Sequence, residues 1–141
     1  MNFDVSKLKD SMFFEENRVA AHSDHVAYAD MEELSRGETS LRYSLNGLWK
    51  FHHALNAGQV VAGFEAADFD SRGWADIRVP AHIQMEGYGV PQYANVQYPW
   101  DGFQNVEIGE IPQEYNPVAS YIKTFFVPEQ MVGKRLFISF Q

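Results

Sequence analysis

Leu45 to His52 reads LNGLWKFH, and from Leu45 the apolar positions run with a period of two. Trp49 and Phe51 fall on one face, and Leu48, Lys50 and His52 on the other. Asn46-Gly47 supplies the entry turn, so the segment predicts a strand. Outward from it, Phe64 to Asp76 (FEAADFDSRGWAD) sets Phe64, Phe69 and Trp74 among acids and small residues, and Trp74 is expected as a packing ring between sheets. Ile77-Arg78-Val79 predicts a short strand halted by Pro80. Tyr121 to Val127 (YIKTFFV) and Lys134 to Phe140 (KRLFISF) are the strongest strand segments, rich in β-branched and aromatic residues. The turn between them, Pro128 to Gly133, is opened by proline and closed by glycine.

Strands with few helices imply a mainly β chain, an antiparallel β-sandwich. The four to six candidate strands lack a closing edge and the chain stops at Gln141 straight after one of them, so the sandwich is expected to be incomplete. Helix is expected only in short turns. Asp30 followed by Met31, Glu32 and Glu33 and closed by Gly37 has the N-cap, third-position acid and terminal glycine of a two-turn helix. Residues 1–44 are expected to form an extended arm with this helix, and residues 45–141 the sandwich. In the arm, Met12, Phe13 and Phe14 are costly to leave in water and are expected to lie on another surface.

Eleven Lys and Arg stand against 19 Asp and Glu, a net charge of −8 with no basic patch, which argues against nucleic acid. Cysteine is absent, excluding disulfides and thiolate metal sites. The N-terminus has no apolar signal core, and no apolar run approaches the roughly 18 residues that cross a bilayer. A soluble, cytoplasmic protein is the expectation. No repeat or low-complexity tract interrupts the chain.

Between the strands lies Val79 to Trp100, VPAHIQMEGYGVPQYANVQYPW. Pro80, Pro91 and Pro99 remove donors and fix φ, while Gly87 and Gly89 permit positive φ, so a rigid loop is expected. Tyr88, Tyr93, Tyr98 and Trp100 stand there with the amides Gln84, Gln92 and Asn95. Flat rings beside short amides suit a ligand with apolar C–H faces and many hydroxyls, a sugar. The plainer alternative is that the rings fill space between two sheets, and the residues alone leave the two level.

Other chemistry finds little support. The acid groups Glu15/Glu16, Glu32/Glu33, Asp68/Asp70 and Glu107/Glu110/Glu114 read as solvated surface, not as a pair facing across a scissile bond. His22, Asp24 and His25, or His52 and His53, match no metal-ligand spacing, and adjacent strand residues such as His52 and His53 point to opposite faces. Neither a nucleophile elbow nor a phosphate loop is present.

Taken together, Asn17-Arg18-Val-Ala-Ala-His22, the LNGLWKF strand, Phe69-Asp70 with Trp74 leading to Val79-Pro80, Gln84 with Gly87-Tyr88, the YANVQYP run and YIKTFFVPEQMVGKRLFISFQ resemble the N-terminal sugar-binding domain of family 2 glycoside hydrolases. Within that family the chain looks most like the long β-galactosidases. The resemblance implies a jelly-roll, galactose-binding-like sandwich and, for the whole protein, retaining hydrolysis of terminal non-reducing β-D-galactose. It puts the catalytic glutamates on a later barrel, so no catalytic residue is expected here and the chain alone is expected to be inactive. Asn95, with Val96 beside it, matches the family's substrate-contacting asparagine. Magnesium and sodium are implied for the whole enzyme with no metal held by this chain, as are a β-galactoside such as lactose, the remaining domains of the enzyme, and a homo-oligomer with the arm near subunit contacts. A stand-alone carbohydrate-binding module and a non-catalytic docking or complementation piece are the alternatives.

Overall fold

The computed structural model describes residues 4–91, 95–96, 99–102 and 104–140. Strands β1 (Gly47–Ala54), β2 (Ala75–Val79) and β3 (Val118–Ile122) form one antiparallel sheet in the order β2-β1-β3. One short α-helix, α1 (Met31–Arg36), and three single turns of 3₁₀ helix (Val5–Lys9, Ala57–Gln59, Glu129–Met131) complete the regular structure among the described residues. The class is the expected one: antiparallel β, an incomplete sandwich with few helices.

The period-two pattern around Trp49 works as read. Phe51 sits opposite Ala75 on β2 and Tyr121 on β3, and Trp49 sits opposite Ile77. Phe51 and Ile77 are each 1% exposed. The Phe51 ring lies 4.9 Å from Tyr121 and 4.6 Å from Tyr88, so the loop after β2 covers this face. On the other face Trp74 packs against His52 at 5.2 Å, with Phe64 and Phe69 at 5.8 and 5.4 Å. Trp74 is thus a packing ring, though the described residues form one sheet and the ring lies between it and the Phe64–Phe69 loop, not between two sheets, and both faces of β1 are covered.

Two strand expectations need correction. The segment expected at Tyr121 to Val127 forms β3 at Val118–Ile122. Lys123 Nζ donates to the Leu48 carbonyl at 2.9 Å, just where the ladder would continue, and the chain leaves the sheet there. Lys134 to Phe140 is no strand at all, and Leu136, Phe137, Ile138 and Phe140 are exposed. A β-prone segment becomes a strand only where a neighbour offers a ladder. Among the described residues none pairs with it.

The described residues divide into two compact units, 4–18 with those from 46 to 123, and 19–45 with 124–140. In the first, the arm is fastened by charge: Lys9 pairs with Glu110, and Lys7 pairs with Glu16 at 2.9 Å while lying over the Phe13 ring. Phe13 is half-buried as expected of the arm, but Met12 and Phe14 remain exposed, because ion pairs and not these apolar side chains hold the segment.

In the second unit, α1 is capped as its sequence requires. Asp30 Oδ1 accepts from the amides of Glu32 and Glu33, and Gly37 closes the helix at φ 69°. The Glu33 carboxylate reaches back to the Ala29 amide at 2.8 Å and across to the Ser40 amide at 3.2 Å. Bonds from the Ser40 side chain first, and then from the Ala29 amide, hold its carboxyl below the usual glutamate range. A lowered folded-state pKa adds stability above the ordinary glutamate range and loses it as pH falls through the folded value. Amide exchange at Ala29 and Ser40 should therefore accelerate as pH is lowered from about 7 to about 3, after correction for intrinsic exchange, and Glu33→Gln should abolish that dependence. Protection that is the same at both ends would remove Glu33 as the clasp.

Candidate carbohydrate-binding loop

The loop leaves β2 through a cis Val79-Pro80 peptide and coils through turns in which Met85 N donates to His82 O and Tyr88 N to Ile83 O. These turns place Tyr88 against Phe51 and, at 5.9 Å, against His53. Gly89 follows at φ 70°. A Cβ there would make only ordinary contacts, 3.7 Å from both His53 Nε2 and Tyr115 Oη, so it is the backbone conformation that favours glycine.

Asn95 lies in the left-handed region at φ 62°, which asparagine tolerates better than most side chains. It is exposed, and Val96 beside it is 86% exposed. Trp100 has φ 69°, an outlier for a bulky residue, and its Nε1 donates to the Tyr115 carbonyl at 2.7 Å. Asn116 N in turn donates to Leu55 O at 2.9 Å, and Asn56 Nδ2 to Glu114 O at 3.2 Å. The indole is therefore tied to the segment that docks beside the C-terminal end of β1. A hollow of about 530 Å³ is lined by Trp100 with residues among 99–102 and 104–106, and one of about 320 Å³ by Val90, Gln104, Glu114 and Tyr115.

Of the residues singled out in the sequence, Tyr88 is turned inward onto the sheet, Gln84 is exposed, and Trp100 is half-buried. Tyr93, Tyr98 and Gln92 lie outside the described residues. Tyr115 carried no sequence signal, since a backbone carbonyl that accepts from a ring 15 residues away leaves none.

Several of the acids are paired at the surface. Asp70 chelates Arg72 through both oxygens, at 2.8 and 2.6 Å, which holds its carboxyl below the usual range. Glu32 pairs with Arg36 and Glu15 with Arg18. His22 and His25 each turn Nδ1 to the Ser23 carbonyl, while Asp24 lies 3.9 Å from Arg42. His52 and His53 do point to opposite faces, against Trp74 and Tyr88. Among the described residues no three His, Asp or Glu side chains converge on a point where a metal could sit. No described helix is long and apolar enough to cross a membrane.

The family model described as "Glycosyl hydrolases family 2, sugar binding domain" matches residues 42–141, well over half of the chain. The chain is 50% identical over 138 residues to the beta-galactosidase of Halalkalibacterium halodurans, an alignment covering 97% of this chain and 14% of that protein. It is 46% identical over 134 residues to the beta-galactosidase of Streptococcus thermophilus, with 95% and 13% covered, and 39% identical over 137 residues to that of Lactobacillus delbrueckii subsp. bulgaricus, with 97% and 13% covered. The chain thus spans only about one-seventh of the length of these relatives. On the extent of the family match, the chain belongs to the glycosyl hydrolases of family 2, through their sugar binding domain.

Proposed function

We propose that this chain is the N-terminal part of a retaining β-galactosidase, which hydrolyses terminal non-reducing β-D-galactose from substrates such as lactose. The observation that carries the reading is the 50% identity, across nearly the whole chain, to a protein named beta-galactosidase. The chain's part in the reaction is to bind and orient. Asn95, exposed at the turn of a proline-stiffened loop, offers a carboxamide to galactosyl hydroxyls, with Val96 against the sugar. The catalytic carboxylates belong to the remaining domains, since Glu110, Glu32 and Asp70 face surface cations and Glu33 faces backbone amides. Magnesium and sodium serve the whole enzyme from ligands outside the described residues.

A cytoplasmic location is part of the same reading. Exposed Met12 and Phe14 on the arm support burial against a second copy in a homo-oligomer.

The test compares the chain with the complete polypeptide that carries it, each supplied with a chromogenic β-galactoside. The complete enzyme should turn over and the 141-residue chain alone should not. Turnover by the chain, after purification from host enzymes, would overturn the division of labour. Inactivity of the complete protein would overturn the reading itself.

A further inference from the structure

The Nε2 nitrogen of His53 is shut off from solvent and makes no hydrogen bond among the described residues. A buried polar atom costs free energy unless it is paired, so native structures pair it with protein or with an ordered water. A Cβ built on Gly89 would stand 3.7 Å from His53 Nε2 and 3.7 Å from Tyr115 Oη, and no other described heavy atom outside Gly89 and its chain neighbours comes within 4 Å of that point. The two polar tips therefore flank one methyl-sized space beneath the Gly89 backbone, no further apart than twice that distance. A tyrosine hydroxyl both donates and accepts, as water does, and a neutral imidazole nitrogen does one or the other according to its tautomer. One water in that space can bond to both, as buried waters do where polar groups flank a small cavity.

Tyr115 also reaches the far end of the same loop. Its carbonyl accepts from Trp100 Nε1 at 2.7 Å while its hydroxyl stands by Gly89, and Asn95 lies in the chain between residues 89 and 100. Its own place beside β1 is fixed by Asn116 N donating to Leu55 O at 2.9 Å and by Asn56 Nδ2 donating to Glu114 O at 3.2 Å. We propose that His53 and Tyr115 are positioning residues for this loop, joined through one buried water under Gly89, so that one tyrosine fastens both ends of the segment that carries Asn95. The kinetic consequence rests on the β-galactosidase reading, and neither residue is assigned a contact with sugar.

The test uses the complete enzyme with o-nitrophenyl β-galactoside. Tyr115→Phe removes the hydroxyl and leaves the carbonyl that holds Trp100, and His53→Phe removes the nitrogen and leaves a ring in its place. Each should lower kcat/KM about threefold to tenfold, the worth of one hydrogen bond, and the double variant should fall no further than either alone, because both break one bridge. His53→Gln, which returns a polar atom at similar reach, should recover activity to within about twofold of wild type. Unchanged kcat/KM in both single variants, losses that add, or a glutamine variant as slow as the phenylalanine one would overturn the proposal. Amide exchange over the peptide holding Gly89 and Val90 reads the bridge without catalysis, and should quicken about threefold to tenfold in both single variants. Exchange as slow as in wild type would also overturn it. A wild-type enzyme that turns over no β-galactoside, with exchange as expected, would overturn the galactosidase reading and leave the bridge standing.

Discussion

Replacing Phe51 with alanine should cost about 3–5 kcal/mol of folding stability, the usual range for deleting a buried aromatic side chain. Phe51 is 1% exposed at the centre of β1, paired with both neighbouring strands and touched by Tyr88 from the loop above. No neighbour can close the gap cheaply. Tyr121 is anchored on β3, and Tyr88 is set by the turns that precede it. Domains of ordinary stability hold only about 5–15 kcal/mol in total, so the variant should lose a large part of that margin. The matched control is Leu48→Ala on the same strand, 63% exposed, which should change stability by less than about 0.5 kcal/mol. Urea denaturation of the three proteins decides it. A Phe51→Ala loss under about 1 kcal/mol would mean that the core lies elsewhere.

That contrast between Phe51 and Leu48 was legible in the sequence, because strand periodicity alone assigns them to different faces. So were the ends of α1, where Asp30 and Gly37 act through bonds to residues within one turn. Local chemistry of this sort survives any tertiary arrangement. What remained hidden was set by distant segments. YIKTFFV pairs over only two of its residues, because the strand begins at Val118 and ends where Lys123 takes a Leu48 carbonyl. KRLFISF has the composition of a strand and no ladder among the described residues, and composition cannot supply a neighbour. At the loop, prolines and glycines announced an irregular and rigid segment. They could not announce that Tyr115 fixes the Trp100 ring, or that His53 and Tyr115 would converge on Gly89.

Replacing Asn95 with alanine in the complete enzyme should lower kcat/KM for β-galactosides about fivefold to a hundredfold with only a small fall in melting temperature. A direct hydrogen bond in a largely desolvated pocket is worth on the order of 1–3 kcal/mol, which gives that range. Exposure of the side chain in this chain argues that no core packing is lost with it. The left-handed φ of 62° makes one further distinction. Alanine tolerates that region less well than asparagine, and glycine adopts it freely. If Asn95 served only to let the chain turn, Asn95→Gly would restore what Asn95→Ala loses. If the carboxamide binds sugar, Asn95→Gly should be as slow as Asn95→Ala, and Asn95→Asp, which keeps an oxygen at the same reach, should recover part of the loss. The kinetics of the three variants, with melting temperatures beside them, separate the two roles. Full activity in the glycine variant would make Asn95 a turn residue and nothing more.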